Sequence, residues 1–133
     1  MNYVLDASVA VASLRANEPK HAAAVAYLAP LIKGTDTIVV PAIFEIEVAS
    51  ALARAGFAPH EVERFVSGFL AHARVTTIGP LRARSIRRVV ARTRLRAADA
   101  IYVWLAAREG VPLVTIDLEI QQRAATLCQV VTP

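Results

Sequence analysis

Short apolar runs alternate along the chain with longer amphipathic segments. The runs occupy residues 3–5, 37–40, 75–78, 113–116 and 129–131. Each is bounded by turn or capping residues, a pattern that is typical of buried strands. The segments between them predict helices at 8–15, 18–28, 43–55, 58–73, from Pro80 onward, 96–108 and 118–126. Strands that alternate with helices favour an α/β fold of three layers, in which helices cover both faces of a central, mostly parallel sheet of four or five strands.

Acidic residues follow two strands of this predicted sheet directly. Asp6 comes after the first strand, and Asp117 comes after the fourth. Because parallel strands end at the same edge of a sheet, where open α/β sheets bind their ligands, these two carboxylates should lie close together. The helix that leaves the second strand carries Glu45 and Glu47 and starts from the same edge. A further acid, Asp99, lies in the first turn of a later helix.

Each acid also has a purely structural interpretation. Asp6 and Asp117 could cap the helices that follow them, and Asp99 could complement the positive end of its own helix. Carboxylates about 5 Å apart would, however, repel by roughly 3 kcal/mol per pair, so some must take up a proton or share a cation. An all-oxygen cluster suits Mg²⁺ or Mn²⁺. Glu45 and Glu47 are about 200° apart around a helix, so only one can face the cluster, and spacing alone does not say which.

Composition limits the classes of protein that remain. The 133 residues fit a single domain over residues 1–133, and a hydrophobic content of 56% argues against disorder. Charges interrupt the apolar runs well before the roughly 20 residues of a membrane span, and no basic leader precedes the first run. With one cysteine the chain can form no internal disulfide. We therefore expect a cytoplasmic protein that does not enter a membrane.

Arginines are concentrated in the second half of the chain. Nine arginines and no acid lie between residues 64 and 98, and the net charge is +4. This distribution favours a nucleic-acid surface and a solvated helix face equally. The arginines most relevant to a phosphate contact are Arg87 and Arg88 within the helix, and Arg94 and Arg96, which are nearest in sequence to Asp99.

Four short motifs resemble those of the PIN domain. They are Asp6-Ala-Ser8 after the first strand, the Glu-Val-Ala-Ser-Ala-Leu stretch that begins at Glu47, the Ala-Asp-Ala-Ile-Tyr stretch that ends at Tyr102, and Thr115-Ile-Asp117. Their order and the length of the chain look most like the VapC-type toxins of bacterial toxin–antitoxin pairs. The resemblance favours Glu47 over Glu45, because the helical Glu of the family directly precedes an apolar run of the kind that Val48 begins here.

The resemblance implies a metal-dependent endoribonuclease, a hydrolase that cuts RNA phosphodiester bonds. Asp6, Glu47, Asp99 and Asp117 would surround one or two Mg²⁺ or Mn²⁺ ions, which would activate a water for attack on phosphorus. Ser8 and Thr115 would hold a carboxylate or a water near the metal, although helix capping and strand propensity explain them equally well. Tyr102 is expected to serve packing or a subunit interface.

Partners are implied by the same resemblance. They are an RNA substrate, a cognate VapB-type antitoxin whose tail would cover the acidic pocket, and further copies in a homodimer or a larger toxin–antitoxin complex. Two alternatives remain: a PIN nuclease of RNA processing without an antitoxin, and a binding module for RNA or protein that does not cut. A pure binder of polyanions would gain nothing from a buried negative pocket, which weighs against the second alternative.

Overall fold

The computed structural model describes all 133 residues. Five strands and seven helices follow one another as β1 Asn2–Leu5, α1 Ala7–Leu14, α2 His21–Ile32, β2 Thr37–Pro41, α3 Ile43–Arg54, α4 Pro59–Leu70, β3 Ala73–Thr76, α5 Pro80–Thr93, α6 Ala97–Glu109, β4 Leu113–Val114, α7 Leu118–Ala124 and β5 Val130–Val131. No helix combines the length and the apolar character that crossing a bilayer requires.

The strands form one sheet in the order β3-β2-β1-β4-β5, and every neighbouring pair is parallel. The predicted α/β class and central parallel sheet are therefore confirmed. Residues 3–5 of β1 and 38–40 of β2 are all buried, without the inside–outside alternation of a half-exposed strand. This burial on both faces is what a sheet covered by helices requires.

Helices cover the two faces in two sets. Because crossovers between parallel strands are right-handed in nearly all proteins, the path from β1 through β2 to β3 should place its helices on one face of the sheet, and the return to β4 and β5 should place its helices on the other. The contacts agree, because α1 packs on α2 and α3 and α3 packs on α4, whereas α6 packs on α5 and α7. The buried apolar side chains of all three layers form one continuous core.

The ends of α2 differ from the prediction. This helix starts at His21 rather than at Glu18, because the preceding residues form a turn in which Glu18 N donates to Arg15 O at 3.0 Å and His21 N donates to Glu18 O at 3.0 Å. It also continues through Pro30 to Ile32. A proline in the last turn removes one donor near the helix end, which costs less than a proline at the centre.

Strand β3 lies two residues earlier than predicted. Pairing with β2 sets its bounds, with Ala73 opposite Ile38 and Thr76 opposite Pro41. Because β3 is an edge strand, it need not bury its apolar residues, and Val75 is 43% exposed. The apolar run at residues 75–78 therefore does not coincide with residues 73–76, which pair with β2.

Candidate active site

The predicted acids meet where the order of the sheet reverses. The chain leaves central β1 toward β2 on one side, and later returns to place β4 on the other side of β1. The carboxyl ends of two such strands border the crevice in which open α/β sheets bind ligands. Here Asp6 N donates to Val114 O at 3.0 Å, and Thr115 N donates to Val131 O at 3.0 Å. Backbone pairing thus fixes Asp6 and Thr115 side by side at this crevice.

Asp6 is the most buried of the acids, with 6% of its surface exposed. Its Oδ2 accepts hydrogen bonds from Ser8 Oγ at 2.6 Å and from Thr115 Oγ1 at 2.7 Å. Burial raises the pKa of Asp6, the two hydroxyl donors lower it, and the charge of Asp117 raises it, with a net increase. Asp6 is the N-cap residue of α1, but its carboxylate makes no side-chain capping hydrogen bond to the helix and is held by the two hydroxyls instead.

Asp117 does cap its helix. Its Oδ1 accepts from Ile120 N at 3.0 Å at the start of α7. Its own backbone N donates to Thr115 Oγ1 at 3.0 Å, so the hydroxyl of Thr115 joins Asp6 and Asp117. The capping interpretation is confirmed here, and it orients the carboxylate toward the other acids without consuming both oxygens.

Glu47, and not Glu45, approaches the other acids. Glu47 is partly buried on α3 and accepts from Tyr102 Oη at 2.6 Å. Burial raises its pKa, the hydrogen bond from Tyr102 lowers it, and the charges of Asp6 and Asp99 raise it, with a net increase. Glu45 is exposed and lines a separate groove between α3 and α4.

Tyr102 is a contact that sequence reasoning missed. Its ring is fully buried, as expected of a packing residue, but its hydroxyl donates to a carboxylate of the site. Two signals could have revealed it. Tyr102 lies three residues after Asp99 and so shares its helix face, and a buried tyrosine hydroxyl usually has a hydrogen-bond partner.

Asp99 carries the least satisfied carboxylate. It lies in the first turn of α6 with 14% of its side chain exposed, and Arg96 Nε is 3.4 Å from its Oδ2. That ion pair is not aligned as a hydrogen bond, and Oδ2 is buried without a hydrogen-bond partner. Burial and the charges of Asp117 and Asp6 raise the pKa of Asp99, while Arg96 lowers it, and the net change is an increase.

The four carboxylates therefore act on one another electrostatically, although they come from four separate segments of the chain. As the side chains stand, no three carboxylate, imidazole or thiol groups form a set that could hold a metal ion. The hydrogen bonds from Tyr102, Ser8 and Thr115 fix the positions of Glu47 and Asp6. Metal binding by this set, and the roles of Ser8 and Thr115 in it, stay predictions.

The predicted arginines lie at different distances from the acids. Arg87 and Arg88 are exposed in the middle of α5, and Arg94 is exposed at its C-terminal end with a left-handed φ of 59°. Arg96 pairs with Asp99 but keeps 77% of its side chain exposed. Of the four, only Arg96 is in contact with a carboxylate of the site, and RNA binding by all four stays a prediction.

Comparison with known proteins agrees with this architecture. The family model of the PIN domain matches residues 3–126. VapBC2 from Rickettsia felis, bound to a DNA fragment from its promoter, is similar to the chain with a TM-score of 0.74 and 14% identity, covering 99% of this chain and 98% of that one. PAE2754 from Pyrobaculum aerophilum gives a TM-score of 0.70 and 24% identity, and the match covers 98% of this chain and 83% of that one. FitAB bound to the IR36 DNA fragment gives a TM-score of 0.72 and 18% identity, and the match covers 100% of this chain and 95% of that one. No curated protein matches the sequence.

Proposed function

The chain belongs to the PIN domain family, and from that premise we propose that it is a metal-dependent endoribonuclease that acts as the toxin of a toxin–antitoxin pair. One observation carries the proposal: the carboxylates of Asp6, Glu47 and Asp99 are withdrawn from water at the crevice between β1 and β4, where their burial and one another's charges raise their pKa values. A module that only bound a polyanion would be hindered by a buried negative cluster. A bound cation explains the cluster better.

The chemistry of the four donors fits a hard divalent cation, although their side chains would have to close around it. Asp6, Glu47, Asp99 and Asp117 would hold it, and all of their donors are carboxylate oxygens, the ligands that Mg²⁺ and Mn²⁺ prefer. Asp99 Oδ2, buried with no aligned hydrogen-bond donor and only the Nε of Arg96 at 3.4 Å, is the kind of atom that such an ion would satisfy. When bound, the ion would supply the charge that polarises a phosphodiester and activates water for attack on phosphorus.

The chain's own side chains would position this chemistry. Ser8 and Thr115 orient Asp6, and Tyr102 orients Glu47, so that neither carboxylate has to be ordered when the ion binds. The exposed guanidinium of Arg96 is the positive group nearest to the acids and would contact a phosphate of the bound RNA. Arg87 and Arg88 would contact phosphates farther along the strand.

Cleavage of total RNA tests the proposal, with purified protein incubated in Mg²⁺ or Mn²⁺ and in EDTA. We expect discrete fragments with the ion and none in EDTA, in Asp6→Asn or in Glu47→Gln. Glu45→Gln is the matched control, because it makes the same change two residues away on the same helix, on an exposed side chain, and should leave cleavage intact. Fragments that persist in Asp6→Asn would refute the site.

Calorimetric titration of Mn²⁺ into the protein separates the remaining outcomes. Binding without fragments would indicate a substrate that is missing from the RNA used. Neither binding nor fragments would refute the nuclease and leave the binding module.

An antitoxin partner is supported by the likeness to VapBC2 and FitAB, which are toxin–antitoxin complexes. We expect a small open reading frame immediately upstream of the gene, whose product co-purifies with this chain and stops RNA cleavage. Light scattering of the chain alone should give the mass of a homodimer. An unpaired gene whose product cleaves RNA without inhibition would instead indicate a nuclease of RNA processing.

A further inference from the structure

A small cavity adjoins the acids on the side of α1 and α3. Its volume is about 310 Å³, at the lower end of the range for ligand sites, so it suits a single flat group. Ser8, Glu47 and Ile116, which lie within or directly beside the predicted site, form one side of it. Small apolar residues such as Val11 and Ala51 form much of the rest. A group in this cavity would therefore lie next to the reacting phosphate.

Glu18 is the other charged residue of this cavity, and its position is fixed by several contacts. Its carboxylate accepts from Arg15 Nη1 at 3.0 Å, and its backbone joins the turn to Arg15 O and His21 N. The ring Nδ1 of His21 is in turn 2.8 Å from Ala12 O, which ties the start of α2 to α1. Only 32% of the Glu18 side chain is exposed. This carboxylate is thus held at the cavity before any ligand arrives.

The proposed function does not use Glu18. We propose that the cavity is a nucleobase subsite of the nuclease and that Glu18 selects guanine there, an inference that rests on the proposed RNA substrate. The ring N1–H and exocyclic N2–H of guanine point the same way and can both donate to one carboxylate. Adenine, cytosine and uracil can present only one such donor group to it. The apolar walls would contact the faces of the base.

The pairing of Glu18 argues for a base over a cationic side chain of a protein partner. Arg15 already donates to Glu18 Oε1, so a second cation would share this carboxylate with a guanidinium of like charge. The lone pairs that Arg15 leaves free can still accept N–H donors, and each such bond to a charged acceptor is strong.

Binding of short RNAs without metal tests the subsite independently of cleavage. The probes are fluorescent uridine heptamers whose central base is guanine, inosine, adenine, cytosine or uracil, titrated in EDTA and followed by anisotropy. Inosine is guanine without the N2 amino group, so it removes one donor only. We expect guanine to bind about tenfold more tightly than inosine, since one hydrogen bond to a charged group is lost. In Glu18→Gln this ratio should fall close to one.

Glu63→Gln is the control, because Glu63 is exposed on α4 and lines a different groove; it should keep the wild-type ratio. Equal affinities for guanine and inosine, a ratio that survives Glu18→Gln, or no binding of any probe would each overturn the subsite. Guanine-selective binding by a protein that neither cleaves RNA nor binds Mn²⁺ would keep the subsite and refute the nuclease, whereas cleavage without guanine selectivity would do the reverse.

Discussion

Removing the hydroxyl of Tyr102 should destabilise the protein, and mainly at neutral pH. The hydroxyl donates to Glu47 at 2.6 Å, and the ring is buried, so Tyr102→Phe deletes the donor without opening a cavity. A hydrogen bond to a charged group contributes about 1.5–3 kcal/mol, and because Glu47 is only partly buried we expect the lower end of this range. For a chain of 133 residues this corresponds to a fall in Tm of about 5 °C.

The pH dependence of this loss follows from the pKa of Glu47. The folded-state pKa is already raised above its ordinary value of 4.5, and the bond from Tyr102 limits that rise. Without the bond the folded-state pKa rises further, so the folded variant holds its proton more tightly than the folded wild type. The deficit of Tyr102→Phe should therefore be small below pH 4.5 and grow as the pH rises through the folded-state pKa.

Urea unfolding in EDTA at a series of pH values measures this effect. Wild type, Tyr102→Phe, Glu47→Gln and the double variant form a cycle whose coupling energy isolates the pair. We expect the Tyr102→Phe deficit to shrink in the Glu47→Gln background. A deficit that is independent of pH, or that is unchanged when Glu47 is replaced, would refute the reasoning and assign the loss to packing.

Other variants test the remaining parts of the site. Asp99→Asn should raise the Tm in EDTA, because it removes a charge that burial and its neighbours oppose. It should also lose the gain of about 10 °C that we expect for wild type with Mn²⁺ at 100 times its Kd; an equal gain in the variant would exclude Asp99 as a ligand. Thr115→Val should cost about 2–4 kcal/mol in urea unfolding, because Asp6 loses a buried donor and a backbone N–H loses its acceptor, whereas Thr115→Ser should cost less. Replacing Arg87 and Arg88 with Ala should reduce the salt slope of RNA binding in anisotropy titrations by about 0.7 per lost phosphate contact; an unchanged slope would place α5 outside the RNA interface.

The order of elements was predictable because apolar runs and turn residues mark buried strands wherever both faces of a sheet are covered. The predicted ends of β3 and α2 were wrong because interactions other than the burial of apolar residues determine where these two elements start and end. Strand β3 is fixed by its pairing with β2 and not by burial, since Val75 is 43% exposed. Helix α2 begins later than predicted because Glu18 forms a backbone turn with Arg15, and an ion pair between their side chains accompanies it. The periodicity of apolar residues does not predict such a contact.

The sequence predicts which segments of the chain meet at the site, but it does not predict which of their atoms are in contact. The parallel topology brings Asp6 and Asp117 to one edge of the sheet, independently of the conformation of their side chains. The choice between Glu45 and Glu47 depends on the rotation of α3, which spacing leaves open and the contact with Tyr102 reveals. Tyr102 itself has the pattern of a core residue, since only the last atom of its side chain is polar.

The way in which the acids are stabilised bears on their function. An ion-pair network built for stability would place lysine or arginine among the carboxylates, and the chain has 15 such residues. Only Arg96 comes within ion-pair distance of any of the four acids. Their other partners are neutral groups, the hydroxyls of Ser8, Thr115 and Tyr102 and the amide of Ile120. Neutral donors fix the carboxylates in place without cancelling their charge, so the cluster keeps the negative potential that would draw a cation from solution.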